Sequence, residues 1–408
     1  LVADLKGRGL KFEDYQLEAL DADLDIDLSA KQSSTVRVQA SHLSVAGQRW
    51  QSLRIEGWGT PLEHQFTLAL EQGPADVAMQ AKGQWESSQW KGFLIQADLQ
   101  NTLWGTWQLP HTVSVMGSAD KAAVEALCLQ RFLNSGDGKG SVCVTAAWSD
   151  TDGSRGEFKA SQVALSLLEP LLPAGTQVEG EIDGQGTFHQ KKDGKPIFSA
   201  NVQVTPSTLH LEYADVSIQA GELQLQLSGQ QSRVNVDLQL PLIQPVGQVE
   251  ASLVIDDAYR EGTLAGSLQA HLSDLKFVSL FTPELQAVNG RVESKLALRG
   301  SLQKPQVQGY LKLQDGSAEL PKLGITLDAI QLDIRDQPAT EQLAVIGSLH
   351  AGKGVLQLSG MLDPLKYSGQ IQLKGKGLKI AATNDIHAWI SPDLKMSITP
   401  ALVSVRGE

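Results

Sequence analysis

Apolar and polar residues alternate with a period of two over most of this 408-residue chain. The stretch LDADLDIDLSA at 20–30 sets the pattern. Asp21, Asp23, Asp25 and Asp27 take the odd positions, and Leu20, Ala22, Leu24, Ile26 and Leu28 the even ones. A strand sends successive side chains to opposite faces, so the four carboxylates share one face and the aliphatic residues the other. Neighbouring Asp on such a face stand roughly 7 Å apart, too far for one cation to be held by all four at ordinary Ca–O distances. The acidic side therefore reads as the wet face of a sheet, and the apolar side is the one whose contacts matter.

The same alternation recurs at 34–45, 51–57, 64–70, 74–81, 221–229, 232–240, 247–256, 262–272, 290–300 and 305–313, and continues towards the end of the chain. Gly, Pro, Asn and Asp mark the breaks, which predicts roughly two dozen strands and almost no helix. At Ala329-Ile330 the alternation slips by one, the signature of a β-bulge. SLLEPLLPAGTQVEGEIDGQG (166–186) repeats as SLFTPELQAVNGRVESKLALRG (279–300): Ser-Leu-apolar-x-Pro, a break, then Val-x-Gly opening a strand. The pieces just ahead of each Pro, VALSLLE and KFVSLFT, are expected to form a helical turn or two. A repeated strap-then-strands unit points to a solenoid-like sheet rather than one compact core.

An amphipathic sheet must bury its apolar face. With no helices to cover it, the sheet can close into a barrel, stack as a sandwich or curl on itself. Parity names the residues that would wall the apolar side. They are Leu223, Leu225, Leu227, Val234, Val236, Leu238 and Leu240, then Val249, Leu253, Ile255, Leu327, Leu332, Ile334, Leu356, Leu358, Ile371 and Leu373. On the residues alone, the packed core of a sandwich is the favoured reading of these positions.

Charge and chemistry narrow the function classes. The net charge of −12 argues against a nucleic-acid surface. No run of 18 apolar residues offers a transmembrane helix, and no signal peptide opens the chain. The sequence starts and ends in mid-pattern, as a segment of a longer protein would. Seven of the eight Trp precede residue 150. The two cysteines, Cys128 and Cys143, lie in strand-like pieces flanking NSGDGKG. If those strands pair as a hairpin, a disulfide is favoured over two buried thiols. It would contribute on the order of 3 kcal/mol and imply an oxidising compartment. The eight His are scattered singly without metal-ligand spacing, and no hydrolase, metalloprotease or nucleotide-binding motif occurs. SGDGKGS (135–141) and SDTDG (149–153) read as turns. No enzyme, cofactor or metal is expected.

The strap motif, together with LALRGSLQKPQVQGYLKLQDGSAELPKLGITL (296–327) and GVLQLSGMLDPLKYSGQIQLKGKGLKI (354–380), resembles the TamB family, which belongs with the AsmA-like and bridge-like lipid-transfer proteins. The likeness is carried mainly by residues 160 to 408. It implies an all-β fold: an elongated, curled antiparallel or mixed sheet (a β-taco) with an apolar concave groove and a few helical turns. Residues 1–160 would form the N-terminal part of that sheet with the Cys pair, and 161–408 its repeat-containing continuation. The resemblance further implies a periplasmic segment of an inner-membrane-anchored protein that carries phospholipid acyl chains towards the outer membrane of Gram-negative bacteria. Its partner would be the Omp85-type barrel subunit of the translocation and assembly module, docked through regions outside this stretch. With the family in view, the 17 parity residues become groove walls rather than sandwich core. Two other readings stay open: a chaperone-like factor that receives outer-membrane β-strands by strand addition, and a structural β-sandwich array. A transmembrane barrel is disfavoured, since aromatic girdles are missing.

Overall fold

A computed structural model describes the chain except residues 13–14, 28–30, 46–47, 102–103, 133–139, 173–174, 212–215, 245, 277, 279–281, 283, 338–341, 383–386 and 408. The fold is all-β: 77% of the chain is strand and 3% helix. Of the 31 described strands, 29 belong to one antiparallel sheet, and Leu378–Ala382 and His387–Ile390 pair apart as a hairpin. The number exceeds the two dozen expected because short strands such as Gly105–Gln108 and Thr176–Glu179 carry too few residues to show an alternation. The chain divides into two compact units. The first is 1–170 with 182–200, and the second is 171–181 with 201–408.

In the first unit the Asp run lies on the strand Tyr15–Asp25. Asp21 faces Lys6 on one neighbour and Gln39 on the other, and Asp23 faces Asp4 and Arg37. Lys6 Nζ lies 3.7 Å from Asp21 and both side chains are solvent-exposed, while Ala22 on the reverse side is buried. Asp27 acts differently, since its Oδ2 accepts the N–H groups of Lys31 and Gln32 at 2.8 and 2.6 Å. The carboxylates are thus a wet face plus one turn cap.

Directly opposed residues of an antiparallel pair share a face, so the register converts parity into rows that run across strands. One row passes through Gly7, Leu20, Ala40, Leu53, Leu70, Val77, Leu99 and Trp107. Beside it runs Phe66, Ala81, Leu94 and Val113. Leu94, Ala97 and Val113 form the buried centre, with Met79, Leu127 and Leu129 packed against it. The strands Lys121–Phe132 and Ser141–Ser149 set Cys128 opposite Cys143, and the two form a disulfide with Cα atoms 3.9 Å apart. SDTDG makes the expected turn, in which Asp152 N–H donates to Ser149 Oγ at 2.9 Å; most of SGDGKGS lies outside the described residues.

The second unit has the same logic. A row runs from Leu240 through Val249, Ala270, Ser294, Leu311, Ile334, Val345, Gly360 and Ile371 to Met396. A parallel row takes Leu272, Val292, Leu313, Leu332, Gly347, Leu358, Leu373 and Leu394. The expected bulge is present: Ala329 has φ of 48° and the pairing shifts between Asp328 and Gln331. The first helical turn is a 3-10 segment, Leu165–Leu171, with Leu167 buried. At the second, Val278 N–H bonds to the Leu275 carbonyl and Leu275 is 5% exposed, while Phe277 and 279–281 lie outside the described residues.

A single-layer sheet leaves a large surface. Among the described residues only 18 apolar side chains are buried. The chain exposes 25171 Å², against about 18,600 Å² for two separate globules of half its mass each. Whatever the units cover between them, their individual areas sum to no less than the total, so taken together they are far more open than two globules.

The disulfide is the one covalent tie in this open layer. Reduction, or Cys128→Ser with Cys143→Ser, is expected to remove up to about 3 kcal/mol from the first unit. Urea unfolding followed by tryptophan fluorescence checks this. A midpoint that does not move on reduction would show that strand pairing alone holds the hairpin.

Candidate functional site: the open apolar face

The 17 residues named from parity all lie on strands of the second unit, and the register places them on one face. Leu225 opposes Leu238, Leu227 opposes Val236, and Val236 in turn opposes Leu253. Val234 meets Ile255, and Leu240 meets Val249. Leu223 opens the strand Leu223–Gln230 in phase with Leu225 and Leu227. Further along, Leu332 and Ile334 continue the two long rows, Leu358 opposes Leu373, and Ile371 opposes Met396. Leu327 faces Ala318 and Ala351, and Leu356 faces Leu349 and Gly375. Every one of the 17 is half-buried, and none is fully covered. The same parity extends to residues not singled out from sequence, among them Leu268, Leu296, Leu311, Leu313, Val345 and Met396.

Glycines lie within the rows where a neighbour's side chain fills their space. A Cβ on Gly347 would fall 1.9 Å from Leu358 Cδ1 and 3.1 Å from Leu332 Cδ1. The row thus stays aliphatic across a position with no side chain. Ser294 is the polar exception: it is 6% exposed and its hydroxyl has no partner among the described residues.

Two insertions, both on the side where the strand Thr263–Leu272 ends, rise over one margin of this face. The strap after Leu272 sets Leu275 against Val288 and Ala318, with Leu313 alongside. The hairpin of Leu378–Ala382 and His387–Ile390 sets Leu378, 5% exposed, in the space above Gly375 that Leu356 also borders. Trp389 and Ile390 at the end of the hairpin are exposed to solvent. The reverse face of the sheet is polar; a depression of about 700 Å³ there is lined by Lys312, Asp333, Gln357, Ser359 and Lys374. Its lining carries mixed charge.

The first unit's apolar face differs in carrying aromatic groups. Trp90 lies over Gly83 and Gly92, where an added Cβ would come within 2.6 Å of its ring. Its indole N–H donates to His64 Nε2 at 2.7 Å, and His64 Nδ1 is 3.0 Å from the Thr60 carbonyl. The imidazole is therefore the tautomer that carries its proton on Nδ1 and donates it to Thr60.

The family profile described as "TamB, N-terminal domain" matches residues 1–313. The chain belongs to the TamB family. A relative from Haemophilus influenzae, named "Translocation and assembly module subunit TamB", is 21% identical over 414 residues, covering 99% of this chain. Only 31% of that relative is matched, so the chain spans about a third of its length. The TamB match reaches the N-terminal part that the strap motif does not touch. Among the described residues no helix is long and apolar enough to cross a membrane.

One hairpin that carries four of the named wall residues, Leu356, Leu358, Ile371 and Leu373, is held by a charged turn. Asp363 is 6% exposed; its Oδ1 accepts the N–H groups of Leu365 and Lys366 at 3.2 and 3.1 Å, and Lys366 Nζ reaches its Oδ2 at 2.9 Å. The Lys366 side-chain bond, aided by those backbone N–H groups, holds the Asp363 carboxyl below its ordinary value of 3.8 against the opposing effect of burial. A carboxyl with a depressed folded value stabilises the folded state in full well above 3.8, and that contribution is lost as pH falls through the folded value. Asp363→Asn keeps an acceptor for the two N–H groups but removes the charge. The variant is expected to be less stable at neutral pH and to show a shallower loss of stability below pH 4 when melts are compared between pH 7 and 2. Parallel acid limbs in the two proteins would rule out the Asp363 contribution.

Proposed function

We propose that this TamB-family chain carries phospholipid acyl chains along its open apolar face, as one segment of a periplasmic path between the inner and outer membranes. The observation that carries the reading is the pair of aliphatic rows crossing ten and eight strands of the second unit, whose named wall residues are all left only half-buried among the described residues. Large exposed apolar surface marks a binding site in most proteins. A sixteen-carbon chain laid on it would gain on the order of 12 kcal/mol, at about 0.8 per CH₂. Because successive cells of a row are, Ser294 and Met396 aside, Leu, Val, Ile, Ala or Gly, a bound chain shifted by one strand meets nearly the same surface. Sliding then costs little compared with leaving. The strap and the side hairpin raise a wall at one margin, which favours a trough over a flat sheet. The relative's name supports membership of a translocation and assembly module; the partner proposed within it is an Omp85-type barrel at the outer membrane. No bond-breaking step is assigned to any residue.

The test is lipid extraction and mass spectrometry of the purified chain, alongside Leu225→Asp and Val236→Arg. Each variant places a charge in the rows, where the neighbouring Leu238 and Leu253 cannot pair with it. Phospholipid is expected to copurify with the unaltered chain and to fall at least severalfold in either variant, with the β-sheet circular dichroism unchanged. Binding of outer-membrane strand peptides in the absence of any lipid would instead support the assembly-factor reading.

A further inference from the structure

We infer that Arg131 holds the phosphodiester of a bound phospholipid at the margin of the first unit's apolar face. This rests on the acyl-chain reading above and adds to it a polar anchor point.

The placement comes first. In the strand Lys121–Phe132, Leu127 and Leu129 oppose Val144 and Val142 on the apolar face, and Arg131 follows in phase. On its other side Arg131 opposes Trp107, the last member of the row that passes Leu53, Val77 and Leu99. An aliphatic row spanning seven strands and then a Trp thus runs into a guanidinium. Arg131 is one residue from the end of its strand, where the apolar face gives way to water.

Its bonding comes second. Arg131 Nε is buried and has no hydrogen-bond partner, and among the described residues the side chain forms no ion pair. An arginine retained for structure would be expected to close onto a carboxylate or a carbonyl, because a buried donor left unmade is costly. Here Nε meets no partner among the described residues.

Third is the space. The residues flanking the guanidinium are glycines. A Cβ on Gly105 would meet nothing within 4 Å except Arg131 Nε and Nη2, at 3.7 and 3.9 Å. On the opposite strand Arg131 N–H bonds to the carbonyl of Gly140, which has no side chain of its own, at 3.0 Å. Trp107 is 8% exposed and its Nε1–H is already used by the Trp104 carbonyl at 3.1 Å, which leaves the indole as an apolar wall. Trp104, 45% exposed, marks the wet boundary.

A forked planar donor set matches the paired oxygens of a phosphodiester better than a point charge does. A single guanidinium would hold inorganic phosphate weakly. The same cation at the end of an apolar row suits an amphiphile, whose chains bind the row and whose phosphate reaches the margin. The class assigned is therefore a lipid phosphodiester.

The experiment titrates the 408-residue chain with dioleoylphosphatidylglycerol, with dioleoylglycerol (the same acyl chains without phosphate) and with inorganic phosphate. It compares the unaltered protein with Arg131→Gln and Arg131→Lys. Arg131→Gln is expected to weaken phosphatidylglycerol binding about tenfold and to leave dioleoylglycerol unchanged. Arg131→Lys should keep part of the preference, and millimolar phosphate should displace neither lipid. If Arg131→Gln changes both lipids alike or neither, the headgroup assignment is wrong while the acyl-chain reading stands. If the unaltered chain binds neither lipid, both fall. If phosphate alone saturates the site in an Arg131-dependent way and competes with the lipid, the site is one for small anions and the lipid assignment is overturned. Should Arg131→Gln not fold, the lysine variant carries the comparison.

Discussion

Strand register is the constraint on which the remaining structure depends. With one face apolar and the other charged, slipping any strand by one residue would invert its whole set of side chains. The slip would put Asp21 and Asp23 among Leu53 and Leu70, and Leu20 and Leu24 among Lys6 and Arg37. Each pairing is therefore selected by the pair before it, and the selection propagates. Bulges such as the one at Ala329, where φ is 48°, do not break this rule. They absorb an extra residue and return the next side chain to its proper face. This is how Ile330 and Leu332 both reach the apolar side although Leu327 is out of phase with them.

The parts of the fold that obey this constraint are the parts legible from sequence. The faces, the Cys128–Cys143 pairing and the Ala329 bulge all follow from period two and hairpin geometry. The side hairpin does not. HAWI at 387–390 alternates like its neighbours, and nothing local says that Leu378–Ala382 leaves the sheet while the strand at 393–398 rejoins it beside Ile371. That choice is made by tertiary packing of Leu378 near Leu356. Arg131 was in principle readable, since LCLQR puts it in phase with Leu127 and Leu129. An arginine at a strand end is usually taken as solvated, however, and only its missing partner and flanking glycines distinguish it. Ser294 was hidden in the same way, by its place between Val292 and Leu296 in an otherwise ordinary alternation.

An exposed apolar face carries a hazard as well as a use, because bare β-surface invites association. The structure limits that hazard by raising cover where the face meets a margin. Leu275 and Leu378 each come from outside the strands of the main sheet, and each seals a strip at the ends of the pairs rather than the middle of the rows. The middle is left half-buried by its own neighbours. Glycines such as Gly347 contribute to this, since a neighbour's leucine leans into the gap and narrows what water can reach.

The two units then differ in a way that bears on the proposed transport. In the second, the rows hold Leu, Val, Ile, Ala, Gly and Met, with Ser294 as the lone hydroxyl and that hydroxyl buried. A chain of CH₂ groups meets no position there that it prefers strongly over the next. In the first, the same kind of row ends on a cation, and its neighbours include an indole hydrogen-bonded to His64. Dispersion contacts vary smoothly along a surface, whereas hydrogen bonds and ion pairs are made or lost over about an ångström. A surface of the first type allows movement and one of the second type allows arrest. A conduit needs both: long stretches where the cargo is held without being fixed, and a few places where its polar end is fixed long enough to orient it.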